Sequence, residues 1–191
     1  NGNDKLSQLI QEENFVGWVY NIDYEKALVM TNDMWKEKVN GIPHNSFLLA
    51  TPFNPKNYGD IRDIDKQVIL LRVTGSSKLP QDDDMIKMKI DNFQNQEEPF
   101  DTSGNKEYDP LTKNKVQFGG LVCRVVGTFY MRNDNLVLGS DIETFYMSTK
   151  LNVFMPKGDA LKAIVNYVDP MRAAKAKSEF IKLGITKVVE P

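Results

Sequence analysis

The hydrophobic and polar positions in the first half of the chain follow patterns typical of short β-strands. Apolar residues fill Phe15–Tyr20 and Ala27–Met30 without a helical period, and a polar stretch separates them, which predicts a hairpin. Phe47–Thr51 and Gln67–Thr74 are short apolar runs that end at Pro or Gly, a pattern that predicts buried strands. The first half of the chain is therefore predicted to form a β-sheet.

Between and after these runs the pattern is less regular. Thr31–Gly41 predicts a short helix, because residue types that cap helices stand at its start and Gly stands at its end. Apolar and basic residues alternate at the end of Met85–Ile90, which predicts a strand with one exposed face. Val116–Tyr130 and Leu151–Met155 are predicted to be further strands.

The last part of the chain changes to a helical period. Asp159–Val168 predicts one helix with Leu161, Ile164, Val165 and Val168 on one stripe, and Asp169–Pro170 predicts the start of a second. Short strands followed by two helices predict a mainly β fold with C-terminal helices, in which a small β-barrel precedes an α-helical element. We expect residues 1–14 to form a short helix or extension, 15–156 the barrel with a polar insertion at about 92–115, and 157–191 the helical segment.

The composition excludes several classes of protein. The 191 residues include 24 Lys and Arg, 26 Asp and Glu, one His and one Cys, so neither a disulfide framework nor a Cys-based zinc site is expected. The net charge of −2 argues against a general nucleic-acid-binding surface but leaves room for a local basic patch. A membrane helix needs about 20 apolar residues, and the apolar runs here are strand-sized, so we expect a cytoplasmic protein with no membrane partner.

No arrangement of residues in the sequence predicts catalysis. Gly75–Lys78 follows a strand as a phosphate-binding loop would, but it lacks the second Gly and the helix start, so a surface turn is expected. Neither Ser46 nor Ser140 stands in a nucleophile elbow, and Cys123 lies within an apolar strand, where a thiol behaves as a small hydrophobic group. His44, acting as a general base with the acidic loops, is the candidate for an enzyme of unknown type.

Two acidic clusters could suggest a metal site. They comprise Asp60, Asp63 and Asp65 in one loop and Asp82–Asp84 in another. Neither has the ligand spacing of a calcium-binding loop, and we expect both to be solvated loop charge.

Basic residues on the predicted strands and in the last predicted helix form a candidate interface. In an oligonucleotide-binding barrel, Trp18, Tyr20, Phe129 and Tyr130 would stack on bases beside these cations. Alternatively, the aromatic residues fill the barrel and the basic residues solvate its outside, which the acidic net charge favours. The candidate interface residues are Arg72, Lys87, Lys89, Arg124, Arg172 and Lys175.

Several segments, taken in order, resemble the N-terminal region of HerA-like ATPases, the hexameric translocases related to FtsK. The resemblance lies in the order of the segments and in their residue types, and it covers about Phe15 to Pro170. The segments that carry it are Val16–Tyr20 with Ala27–Met30, Ile42–Thr51, Leu70–Gly75 with Leu79–Pro80, Gly127–Tyr130, Leu138–Glu143 and Val153–Leu161.

The resemblance implies a six-stranded β-barrel of the HAS-barrel type, similar to the N-terminal barrel of rotary ATP synthase subunits. In that family a RecA-like ATPase core follows the barrel. This sequence contains no P-loop, no Walker B strand and no arginine finger in context, so the chain itself is expected to be non-catalytic. ATP and Mg are expected only in the core, into which the reading frame is expected to continue past Pro191.

The resemblance also implies partners. Such a barrel helps to assemble the ring, a hexamer with the full-length chain, and we expect unpaired strand edges to contribute. It also docks an effector protein, such as a nuclease or an NAD-consuming enzyme of an anti-phage system, and DNA is met only through the assembled ring. A stand-alone oligonucleotide-binding barrel is the alternative.

Overall fold

The computed structural model describes residues 5–80, 83–96, 116–139 and 151–168. The chain divides into two compact units, Asn1–Met155 and Pro156–Pro191. The described strands are β1 (Phe15–Ile22), β2 (Lys26–Asn32), β3 (Phe47–Thr51), β4 (Val68–Ser77), β5 (Phe118–Arg132), β6 (Asn135–Gly139) and β7 (Asn152–Phe154). The described helices of the first unit are α1 (Asp33–Lys38) and α2 (Asp84–Gln96), with 3-10 turns at Ser7–Leu9, Glu12–Asn14, Tyr58–Asp60 and Asp63–Asp65.

Six of the strands close into a barrel. The order around the ring is β1, β2, β5, β4, β3, β7 and back to β1, and every neighbouring pair is antiparallel. β6 forms a hairpin with the end of β5, across a turn at Asn133 and Asp134, which both have positive φ. The predicted fold class, a mainly β protein with a small six-stranded barrel followed by a helical element, is confirmed.

Aliphatic side chains of small and medium size fill the barrel. On β4, Ile69, Leu71 and Val73 belong to the core, as the two-residue period of a strand requires. On β5, Leu121 and Cys123 join them. Barrels with few strands have narrow interiors that side chains fill completely. None of the residues in this core cluster is aromatic. Phe129, one of the aromatic residues expected to fill the barrel, is fully buried but does not belong to the cluster.

Aromatic side chains instead form a cluster on the outside of the barrel. The ring centroid of Trp35 in α1 lies 5.0 Å from those of Phe15 and Trp18 on β1, and 5.1 Å from that of Phe93 on α2. The rings meet edge to face, the favoured geometry for aromatic pairs. The aromatic cluster consists of Phe15, Trp18, Trp35, Phe93, Phe118 and Phe154. It packs α1 and α2 against the outer face of the barrel.

α1 forms where the sequence predicts it. The Oδ1 atom of Asn32 accepts a hydrogen bond from the backbone N–H of Trp35 at 2.9 Å, which satisfies a donor at the helix start. Gly41, after the helix, has φ +89°, a conformation that glycine adopts without strain. The N-terminal cap acts as predicted, whereas the left-handed residue directly after the C-terminal cap is Asn40 (φ +62°), one position before Gly41.

The predicted strand at Met85–Ile90 is wrong, because this segment lies in α2. The carboxylate of Asp83 accepts hydrogen bonds from the backbone N–H groups two and three residues further on, at 2.9 and 3.3 Å, and so caps the helix. Met and Lys favour helices over strands, which the short alternation conceals. As a result, Lys87 and Lys89 lie on a helix and not on a barrel strand.

The predicted polar insertion begins later than expected. Residues 92–96 belong to α2, and Phe93 is partly buried in the aromatic cluster. The rest of the insertion, 97–115, lies outside the described residues. One apolar residue at helical spacing from Ile86 and Ile90 was enough to extend the helix into a polar stretch.

Closure of the barrel leaves fewer strand edges than expected. Each of the six barrel strands has hydrogen-bonded neighbours on both sides. Among the described strands, β6 is the one paired on a single side. The barrel itself therefore offers few unpaired strand edges that could pair with another chain.

The described part of the second unit contains a helix, α3, over 159–168. Ala160, Ile164 and Val168 are buried at intervals of four residues, whereas Leu161 and Val165 are exposed. The predicted stripe is therefore confirmed for Ile164 and Val168 and wrong for Leu161 and Val165. The second predicted helix, from Met171 to Leu183, lies outside the described residues, and no described helix has the length and apolar character needed to span a bilayer.

Candidate interaction surface

Three basic side chains lie side by side on the outer face of the barrel. In the strand register, Arg72 of β4 is opposite Arg124 of β5, and Arg124 is opposite Lys26 of β2. On the other side of Arg72, β3 places Phe47. Since neighbouring strands are about 4.8 Å apart, the Cα atoms of the three residues span about 10 Å. We call Lys26, Arg72 and Arg124 the basic row.

The alternation of the strands turns the basic row outward. Arg72 stands between Leu71 and Val73, and Arg124 follows Cys123, and these three neighbours belong to the barrel core. Because successive side chains of a strand point to opposite faces, both arginines lie on the outside. Arg72 is half-buried there, and the other two members of the row are exposed.

Arg72 packs against Phe47. Its guanidinium carbon lies 5.0 Å from the centroid of the Phe47 ring, in a cation–π contact. The Nε atom is buried and has no hydrogen-bond partner among the described residues. A buried donor of a charged group is costly to leave unpaired. Arg72 is therefore positioned by packing while part of its hydrogen-bonding capacity stays unused.

The turn before β2 positions the Lys26 end of the basic row. The carboxylate of Asp23 accepts hydrogen bonds from the backbone N–H groups of Glu25 and Lys26, at 2.9 and 2.8 Å. These bonds, that of Glu25 first, lower the pKa of Asp23, and the charge of Lys26 adds to the effect. The carbonyl of Glu25 accepts a hydrogen bond from the N–H of Val125 at 2.8 Å, which ties the turn to β5 beside Arg124.

Ion pairs within the described part of the chain do not balance the basic row. The pairs there join Lys56 to Glu12, Arg62 to Asp65 and Lys66 to Asp63. None of them includes a member of the row. Like charges directly opposite each other on neighbouring strands repel and destabilise the sheet. An anionic group that bridged the arginines would remove this repulsion through charge-assisted hydrogen bonds, so the row is a candidate site for an anionic partner.

His44 lies beside β4 without forming a catalytic pair. Its Nε2 atom is 2.6 Å from the carbonyl oxygen of Thr74, and since a carbonyl only accepts, Nε2 carries the proton. The hydroxyl of Ser46 donates to the carbonyl oxygen of Pro43 at 2.6 Å. Both side chains hold the loop before β3 in place.

The thiol of Cys123 is unsuited to nucleophilic chemistry. Cys123 is 1% exposed within the barrel core. Burial raises the pKa of the thiol to about 12, whereas a reactive cysteine needs a thiolate. The sequence-based prediction that Cys123 acts as a small hydrophobic group is confirmed.

The structure brings together two of the residues proposed from the sequence as an interface, Arg72 and Arg124. Arg172 and Lys175 lie outside the described residues. Sequence reasoning missed Lys26. Its position just after a turn gave a weak signal, but its place beside Arg124 depends on the pairing of β2 with a strand far along the chain.

The two lysines of α2 are not on the strands that carry the basic row. Lys89 is partly buried over the aromatic cluster, with its Nζ atom 5.1 Å from the centroid of the Trp18 ring, and burial lowers its pKa. Lys87 is exposed. The environment of Lys89 therefore differs from that of the row.

Three residues of the two acidic clusters have structural roles. Asp63 and Asp65 form the ion pairs noted above, and Asp83 caps α2. No group of three side chains that could hold a metal ion occurs in the described ranges. A shallow pocket lined by Glu12, Phe15, Asn54, Asn152 and Phe154 contains one carboxylate, which is paired with Lys56 at 3.1 Å.

Comparison with protein-family models gives no match to this chain, and comparison with curated proteins gives none either. Fold alone does not determine function, so the basic row has to be considered together with the barrel.

Proposed function

We propose that the chain is a non-catalytic N-terminal barrel module of a HerA-like DNA-translocating ATPase. In this role it contributes to assembly of a hexameric ring and docks an effector protein, such as a nuclease, in anti-phage defence. The observation that carries the proposal is the closed six-stranded antiparallel barrel, because a barrel of six strands is what the resemblance implies for this region.

The positions of the resembling segments support the proposal. Val16–Tyr20 lies in β1, Ala27–Met30 in β2, Leu70–Gly75 in β4 and Gly127–Tyr130 in β5. All four strands belong to the closed barrel. A family-like segment confined to loops would carry less weight, because loops vary most among proteins of one fold.

The chemistry of the described residues favours binding over catalysis. The single histidine and Ser46 donate hydrogen bonds to backbone carbonyls, and the single cysteine is buried with a raised pKa. Catalysis by a nucleophile needs an activated group beside a base. The basic row, in contrast, is exposed and suited to a charged partner.

Light scattering of the purified 191-residue chain tests the proposal. We expect self-association that increases with concentration, and a larger complex when the product of a neighbouring effector gene is added. A chain that stays monomeric and binds no effector would contradict both parts of the proposal.

Oligonucleotide binding by the barrel alone is a second candidate, because the basic row is a local cluster of cations on an otherwise acidic protein. Its signature is binding to single strands that weakens with salt. Three phosphate contacts predict a slope of about −2 in a plot of log affinity against log salt. Absence of binding at low salt would exclude this function.

A further inference from the structure

We propose that the basic row is the docking site for a short acidic segment of a partner protein. The inference rests on the docking role proposed above and assigns that role to Lys26, Arg72 and Arg124. The occupant is a polypeptide with closely spaced carboxylates, and not a long polyanion.

The first argument is charge complementarity. The register places three cations in direct succession across β4, β5 and β2, and no carboxylate of the described residues forms an ion pair with any of them. Carboxylates bridging neighbouring cations would replace repulsion by charge-assisted hydrogen bonds. The charge of Asp23 acts on Lys26, so within the described residues it is Arg72 and Arg124 that lack an anionic group beside them.

The second argument is the chemistry of Arg72. Its guanidinium carbon lies 5.0 Å from the centroid of the Phe47 ring, and this packing holds the guanidinium in place. A planar guanidinium fixed by stacking loses little entropy when it binds a carboxylate through two parallel hydrogen bonds. Lysine at this position would keep the charge but could not form two parallel hydrogen bonds with one carboxylate.

The third argument is the length of the row. The Cα atoms of three residues on adjacent strands span about 10 Å. In an extended peptide, side chains at positions i and i+2 lie on the same face about 6.5–7 Å from each other. Two carboxylates with one residue between them therefore fit along the row.

The surroundings of the row favour a polypeptide over a nucleic acid. At the Lys26 end, the exposed acidic residues Asp23 and Glu25 border the row and would repel a phosphate backbone that continued past it. At the other end, the Arg72 guanidinium occupies a face of the Phe47 ring. Single-strand binders need both a long basic track and aromatic faces open for stacking.

Fluorescence anisotropy with a short fluorescein-labelled oligoglutamate peptide tests the inference on the purified 191-residue chain. The measurement is made in about 0.05 M NaCl, where screening is weak. The test variant is Lys26→Gln/Arg124→Gln, which removes two exposed cations of the row. The matched control is Lys5→Gln/Lys38→Gln, which removes two exposed cations elsewhere in the first unit.

We expect the wild-type chain to bind the peptide, the row variant to lose about tenfold or more in affinity, and the control to lose less than about twofold, since loss of a charge-assisted contact is large and general screening is small. Arg72→Lys should also weaken binding, because it preserves the charge but removes the paired donors of the guanidinium. Circular dichroism of each variant establishes that it is folded.

Three results would overturn the inference. One is equal loss in the row variant and the control, which would indicate non-specific charge attraction. Another is tighter binding of a labelled oligothymidylate of equal charge, lost in the same row variant, which would assign the row to nucleic acid. The third is no binding of either probe. Light scattering of the same samples separates this failure from failure of the proposed function, because self-association does not depend on peptide binding.

Discussion

Substitution of Gly17 by Ala is expected to destabilise the barrel strongly. Gly17 lies on β1, where it is opposite Val153 of β7, and it has φ +153°. A Cβ atom at this position would lie 1.9 Å from the carbonyl oxygen of Met30 on β2 and 2.9 Å from its carbonyl carbon. Both of these atoms belong to the backbone, so no side chain can rotate away to make room.

Two costs add up in Gly17→Ala. A non-glycine residue held in a disfavoured backbone region costs about 1–3 kcal/mol. Separating β1 from β2 far enough to admit the methyl group is an overpacking change that costs about 1–3 kcal/mol more. We therefore expect a loss of about 4 kcal/mol in the free energy of unfolding, a large part of the total of about 5–15 kcal/mol typical of a domain.

Urea unfolding followed by tryptophan fluorescence measures this loss, since Trp18 and Trp35 belong to the aromatic cluster. The matched control is Gly119→Ala on β5, where an added Cβ meets nothing within 4 Å. The control should change the free energy of unfolding by less than about 1 kcal/mol. If Gly17→Ala unfolded within about 1 kcal/mol of wild type, the close approach of β1 and β2 described here would be wrong.

Further predictions concern the aromatic cluster, the thiol and the hairpin turn. Trp35→Ala should cost about 3–5 kcal/mol in urea unfolding because it removes a side chain that is 6% exposed, and Trp35→Phe should cost clearly less; equal losses would argue against the ring contacts. Cys123 should resist a thiol reagent at pH 8 until urea is added, and rapid labelling of the folded chain would contradict its burial. Because the pKa of Cys123 is raised in the folded state, the free energy of unfolding should fall as pH rises above 9 towards 12. Asp23→Ala should destabilise the chain at pH 7, and because the pKa of Asp23 is lowered, the difference from wild type should shrink as pH falls through the acid range; a difference that is constant with pH would exclude the carboxylate's role.

Local patterns predicted most strands and the first helix correctly. The β1–β2 hairpin, β3 and β4 follow from short apolar runs between turn residues, and α1 follows from a capping asparagine and a terminal glycine. These signals act over a few residues, so the sequence alone contains them. The strand prediction for Met85–Ile90 was wrong because a run of six residues can satisfy both the two-residue period of a strand and the period of a helix. The helix cap at Asp83, which decides between them, was interpreted as loop charge.

The candidate site was only partly predictable because it depends on register. Arg72 and Arg124 were identified as strand cations, but nothing local indicates that they are opposite each other or that Lys26 completes the row. The same is true of Trp18, which was expected near the nucleic-acid surface or inside the barrel. Its place against Trp35 and Lys89 depends on how both helices dock on the sheet.

If the basic row is the docking site proposed above, binding and stability should oppose each other there. Arg124 has a like charge on each side, and removing the central cation relieves two repulsions at once. Binding of an acidic segment would turn this cost into a contribution to affinity.

The most direct test of the central claim, that this chain is an assembly and docking module of a ring-forming ATPase, is native mass spectrometry of the full product of its reading frame in the presence of ATP and Mg. The account predicts a P-loop past Pro191, a hexameric ring, and loss of that ring when residues 1–155 are deleted. A reading frame without a P-loop, or a ring that persists without residues 1–155, would contradict it.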